Sequence, residues 1–193
     1  MFNSISHWLE QAGIFPGEDE IALYTKTAHF RRLDKGTWLV RQGMRSGRIF
    51  FVNQGILRVF VSNEESETTL GFVLPQEFVS ALPAIWNQSP ATFSVQAVTK
   101  AEVLYWEAAE LTVLRQNNAS ADAIERIALQ RLMQQKEQRE LSLLIQTPEE
   151  RYLALMSEKP AVIQQVPLKY IASYLGIKPE SLSRLRKKLL SKN

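Results

Sequence analysis

The chain contains no cysteine, which removes disulfides, thiolate metal sites, iron–sulfur clusters and thiol nucleophiles together. Histidine is nearly as scarce. His7 and His29 are the only two, and they form neither an H-x-H nor an H-E-x-x-H pattern, so both read as solvated or packing residues and no metal site is expected. No apolar run approaches the ~18 residues that span a bilayer. The opening MFNSISHWLE lacks the basic, apolar and small-residue order of a secretory signal. A cytoplasmic protein with no membrane partner is the expectation. There is also no internal repeat and no low-complexity stretch.

What remains is an ordinary globular composition, 45% hydrophobic and 22% charged over 193 residues, enough for a sensor-sized domain and a small appendage. The net charge of +3 is unevenly spread. From Gln146 to Asn193 nine Lys and Arg face four Glu, a net of +5, whereas the rest carries −2. A weakly acidic body with a basic last quarter points to a polyanion bound by that quarter.

Along the chain, Ile5, Trp8 and Leu9 recur at helical spacing before Gly13, and a second amphipathic stretch runs from about Glu18 to Thr27. From about Phe30 to Tyr105 the period becomes two. Leu57, Val59 and Val61 alternate with Ile56, Arg58 and Phe60, and similar short runs lie at 48–52, 69–74 and 93–98, separated by turn signals such as Gln42-Gly43 and Asn53-Gln54-Gly55. Such spacing predicts an antiparallel roll or barrel-like sandwich. Around Ala119 the pattern turns helical and free of Gly and Pro, which predicts one helix from about Asn118 to Ile145, roughly 42 Å long at ~1.5 Å per residue. Its apolar residues form no tidy stripe and its centre, Gln134 to Glu140, is polar. It is expected both to pack along the roll and to pair with a second copy across a two-fold axis. Thr147-Pro148-Glu149-Glu150 then supplies a cap, a first-turn proline and a capping-box glutamate for the next helix, which Glu158-Lys159-Pro160 ends.

The segment from Pro167 to Arg186 reads as two short helices joined by a tight turn. Leu168, Ile171, Ala172 and Leu175 supply the first buried face, with small Ala172 where the second helix crosses. Gly176 can take the left-handed conformation of a sharp turn, and Pro179 starts the second helix with its preset φ. Leu182, Leu185 and Leu189 then face inward, leaving Glu180, Ser181, Arg184 and Lys188 outside. In a helix-turn-helix the start of the second helix, here within 179–190, meets base edges. Glu180, Ser181 and Arg184 are the expected base contacts; Arg184 can fork onto guanine O6 and N7, and Glu180 can accept from the cytosine N4 amine. Lys169, Lys178, Ser183, Lys187 and Lys188 are the expected phosphate contacts.

With these residues the chain resembles the cyclic-AMP receptor protein and fumarate–nitrate regulator (Crp/Fnr) family. Glu180, Ser181 and Arg184 stand in the register of that family's recognition helix, and Lys35-Gly36, Gln42-Gly43 and Gly55 sit where its roll has turn glycines. The resemblance implies an α+β fold: a cyclic-nucleotide-binding-like β-roll at 1–117, a dimerisation helix at 118–145 and a winged helix-turn-helix at 146–193. It further implies a bacterial homodimer that binds near-palindromic double-stranded DNA and works with RNA polymerase. Pro179 replaces an arginine common in the family, so a different operator is expected.

The sensor site departs from the family. Cyclic-nucleotide binders carry Gly-Glu at the start of a short helix and Arg followed by Ser or Thr about ten residues later. Here the stretch is Phe78-Val79-Ser80-Ala81-Leu82 and then Pro90-Ala91-Thr92. Ser80 replaces the ribose carboxylate and Ala91 the phosphate arginine; Thr92 alone matches. A phosphodiester buried without a cation does not recover its desolvation, so no tight cyclic-AMP binding and no cofactor are expected, and the effector is not specified. Trp86, Phe72, Phe78 and Phe93 could line an apolar pocket, although ordinary roll core is the simpler reading. Two rivals stand beside a regulator: a cupin-type enzyme or metal barrel, for which clustered His and carboxylate ligands are lacking, and a ligand-binding or protein-interaction roll without specific DNA binding.

Overall fold

The computed structural model describes residues 3–191, so Lys192 of the basic quarter lies outside the described residues. Two helices, α1 (Asn3–Gln11) and α2 (Glu18–Thr27), precede the strands β1 (His29–Leu33), β2 (Trp38–Val40), β3 (Arg48–Gln54), β4 (Leu57–Ser62), β5 (Glu67–Val73) and β6 (Phe78–Ser80). A short α3 (Leu82–Trp86) leads to β7 (Ser94–Ala97) and β8 (Ala101–Glu107). Then follow α4 (Ala108–Asn117), α5 (Ala121–Ile145), α6 (Pro148–Glu158), α7 (Pro160–Gln165), α8 (Leu168–Leu175) and α9 (Pro179–Leu190).

The strands make two antiparallel sheets of four, ordered β1-β8-β3-β6 and β2-β7-β4-β5, the expected β-roll. Side chains alternate across each strand, so in β3 Phe50 and Val52 enter the core between the sheets while Phe51 packs outward with Leu104, Trp8 and Leu114. That is why this run is apolar on both faces: α1, α4 and the first half of α5 cover the outside. The other sheet is covered too. Its Ile56 and Phe72, with Val98, join Tyr152, Leu155, Ile171 and Leu182 of the C-terminal helices in one cluster. Gly55 turns β3 into β4 at φ +88°, where an added Cβ would lie 2.3 Å from the Lys100 carbonyl oxygen, so only glycine fits.

The long helix begins three residues later than expected, and a separate α4 precedes it. The break is built from polar groups. Asn118 is extended, with φ −145° and ψ 111°, and its Oδ1 accepts the Ser120 N–H at 2.9 Å. Glu20 of α2 accepts from Ser120 N–H at 3.0 Å and from Ser120 Oγ at 2.9 Å, and these bonds hold its carboxyl below the usual glutamate range. Helix α5, with its 25 residues, is then about 38 Å long. The Thr147 capping box forms as expected: Thr147 N–H donates to Glu150 Oε2 at 2.7 Å, and Glu150 N–H donates to Thr147 Oγ1 at 3.3 Å. The wing that the resemblance implied is not among the described elements. Among the described residues no strand follows Glu107, and the region after α5 is wholly helical; the six-residue α7, opened by Pro160, occupies part of it.

Candidate nucleic-acid interface

Helices α8 and α9 form the helix-turn-helix. Ile171, Ala172, Leu175 and Leu182 are fully buried together, with Leu185, Leu189 and Ile177 packed against them. Gly176 adopts φ 72° and ψ 30°, and its N–H reaches the Ala172 and Ser173 carbonyls, which satisfies the end of α8. Pro179 occupies the first turn of α9.

This inward leucine face fixes what points out. Glu180 and Arg184 are exposed, Ser181 and Ser183 half-buried. Arg184 lies back along its own helix, its Nε–H donating to the Glu180 carbonyl at 3.4 Å. No ion pair among the described residues involves Arg184, Lys178, Lys187 or Lys169, and all four are exposed. The Lys169 ammonium lies 4.9 Å from the centre of the Tyr170 ring.

Three cations of the basic quarter serve the fold instead. Lys188 Nζ pairs with Glu149 Oε2 at 2.7 Å, so a phosphate would compete with that carboxylate for it. Lys159 Nζ reaches Glu77 Oε1 at 2.9 Å and the Phe72 carbonyl at 3.2 Å, tying α6 to the roll. Arg151 is buried. Its Nε and Nη2 donate to the Leu175 carbonyl at 3.2 and 2.9 Å, and its Nη1 donates to the carbonyls of Ser142, at 3.2 Å, and Gln146. One guanidinium thus satisfies the last turn of α5 and the last turn of α8 at once. Counting charge misses this role. The available signal is position, since Arg151 shares the buried face of α6 with Tyr152 and Leu155.

The first helix of the motif rests on the roll. Ser173 Oγ accepts the Thr69 N–H at 2.9 Å and donates to the Glu67 carbonyl at 3.2 Å. Beside it Arg58, only 1% exposed, lies between the Phe60 and Tyr170 rings at 4.2 and 3.9 Å and binds Glu67 at 2.6 Å. Arg139 of α5 donates to the Tyr174 carbonyl and sits 3.8 Å over that ring; burial lowers its pKa. These contacts hold α8 while α9 stays on the surface.

The residues expected at the sensor position do not meet in one pocket. Ala81 and Ala91 are buried in the core between the sheets, with Phe93 packed against them, and Thr92 is exposed. Ser80 Oγ donates to the Arg48 carbonyl at 3.0 Å. Phe72 belongs to the cluster under the C-terminal helices, and Phe78 to the outer face of the first sheet. A cyclic nucleotide does not fit this set: the position of its phosphate is an apolar core with no cation. Phe78, Ser80, Leu82 and Trp86 instead border a cavity of about 130 Å³ outside that sheet.

Residues 30–118, which span the roll, match the cyclic nucleotide-binding domain family. Over most of its length the chain shares its fold with solved structures, each less than 25% identical to it. It is similar to the c-di-GMP-responsive global regulator CLP of Xanthomonas campestris, at 19% identity and TM-score 0.70 over 91% of this chain and 93% of that one. FixK2 of Bradyrhizobium japonicum gives 15% identity and TM-score 0.73 over 86% and 85%. The catabolite activator protein of Thermus thermophilus gives 20% identity and TM-score 0.55 over 91% and 84%. No curated protein matches by sequence. Among the described residues no helix is long and apolar enough to cross a membrane.

Proposed function

We propose that the chain is a non-enzymatic, cytoplasmic transcription regulator that binds DNA as a homodimer through α9. One observation carries the reading: Glu180, Ser181 and Arg184 project from the free face of a helix whose other face is sealed by leucines. Two copies pairing along α5 would set two recognition helices one helical turn apart, ~34 Å, in successive major grooves of a near-palindromic site. In support of pairing, Met133, Leu144 and Ile145 of α5 are 65%, 75% and 76% exposed, more apolar surface than a solvated helix end needs. RNA polymerase enters the proposal on the family resemblance alone.

The test is a mobility shift on a pool of random-sequence duplexes at two salt concentrations. Retardation that weakens steeply as salt rises is expected, because each phosphate contact releases counterions. No retained duplex, or retention indifferent to salt, would favour a roll that binds a ligand or a protein instead.

A further inference from the structure

The core between the sheets is filled by the chain's own side chains, yet the cavity of about 130 Å³ lies across the first sheet from it. Its walls come from α1, α2, β3, β6, β8, α3, α4 and α5, and are mostly apolar: Leu9, Ile49, Leu114, Ile124 and Leu132 are among them. Polar groups also border it, and among them Trp106 carries a donor with no answer. It borders the cavity, is 3% exposed, and its Nε1–H has no hydrogen-bond partner among the described residues. Buried donors are rarely left unpaired, because the desolvation is not recovered.

The surrounding polar groups do not answer this donor. Ser80 Oγ donates to the Arg48 carbonyl at 3.0 Å and Thr25 Oγ1 to the Ile21 carbonyl at 2.8 Å. Arg115 and Glu125, also at the border, are paired with each other at 2.9 Å. No uncompensated charge therefore calls for an ion. The Tyr24 phenol and Ser6 also border the cavity, yet a mostly apolar wall offers few of the two to four polar partners that a water needs. An apolar cavity of ~150 Å³ holds benzene, which sets the scale of an occupant.

We propose that this cavity is an effector site for a small neutral apolar molecule, about one aromatic ring in size, bearing one hydrogen-bond acceptor that receives the Trp106 Nε1–H. Ala128, Ile124 and Leu132 of α5 form one wall. The same helix carries the exposed Met133 and ends at the carbonyls that Arg151 holds. Filling the cavity would therefore bias how α5 and the attached recognition helix are presented. The regulatory half of the inference rests on the DNA-binding reading; the binding half does not.

Acetophenone and ethylbenzene have nearly the same shape and differ in the acceptor. Each is titrated into the full chain while the tryptophan indole N–H resonances are followed by NMR, with Trp106→Phe identifying the reporting signal. Acetophenone is expected to bind about tenfold more tightly, the worth of one buried hydrogen bond, and to move the Trp106 signal downfield. That preference should fall to about unity in Trp106→Phe, and Ala128→Phe or the milder Ala128→Leu should weaken both probes by occupying the space. Equal affinities in the wild-type chain, a preference that survives Trp106→Phe, binding indifferent to both Ala128 variants, or no binding at all would overturn the site. Acetophenone that binds as expected but leaves DNA retardation unchanged would overturn the regulatory half alone. A chain that retains no DNA would count against the proposed function and leave the probe preference intact.

Discussion

Arg184 and Arg151 lie in the same basic quarter of the chain and do opposite work. Arg184 stands on the free face of α9 and bonds its own helix; Arg151 is buried against backbone carbonyls of two other helices. Arg184→Ala should relax preference at one base pair by ~1 to 3 kcal/mol, measured by competition between duplexes that differ at that pair. Lys187→Ala should weaken all sequences alike and reduce the salt slope by about one. Equal effects of the two would contradict the division into base and phosphate contacts. Arg151→Met should lower stability by about 2 kcal/mol, because charged hydrogen bonds are lost and buried carbonyls are left unpaired; urea denaturation checks this. Composition could not distinguish these arginines. Their burial depends on which helix face meets the roll, and that is a tertiary fact.

Elements with local signals were legible in the sequence, and those without were not. The bounds of α9 follow from Gly176 and Pro179, and the start of α6 from the Thr147 capping box, because such residues act within a turn of where they stand. Helix α4 buries only Leu114, so it offers no apolar stripe, and α7 is shorter than two helical turns. The start of α5 depends on Glu20, a hundred residues away in sequence from Ser120, which no local pattern contains. The first half of α5 covers the roll, with Ile124, Ile127 and Ala128 packed there, whereas Met133 and Leu144 remain exposed. Replacing both with Glu should convert a dimer to a monomer in light scattering without unfolding the roll, since neither contributes to its core. A double variant that stays dimeric would place the pairing surface elsewhere.

For the molecule as a whole, three clusters divide the labour: a core between the sheets, a layer of N-terminal helices and α5 over one sheet, and the helix-turn-helix over the other. The roll and the motif were readable because both repeat on a short period or turn on single residues. That Ala91 stands where the family has an arginine is legible in the sequence; its burial in the core between the sheets is not. The cavity beside Trp106 was not legible either, because its walls are gathered from eight helices and strands scattered between Ile5 and Leu132. Charge is divided on the same plan, with Glu77 of the acidic body holding Lys159 and Glu149 of the basic quarter holding Lys188, while Lys178, Arg184, Arg186 and Lys187 are exposed.

Selection of bound duplexes from a random library by the full chain tests DNA recognition most directly, since it reads binding, symmetry and spacing together. Enrichment of a near-palindrome whose half-sites are centred about one helical turn apart is expected. Recovery of no common sequence, or of a site lacking two-fold symmetry, would contradict recognition by a pair of α9 helices.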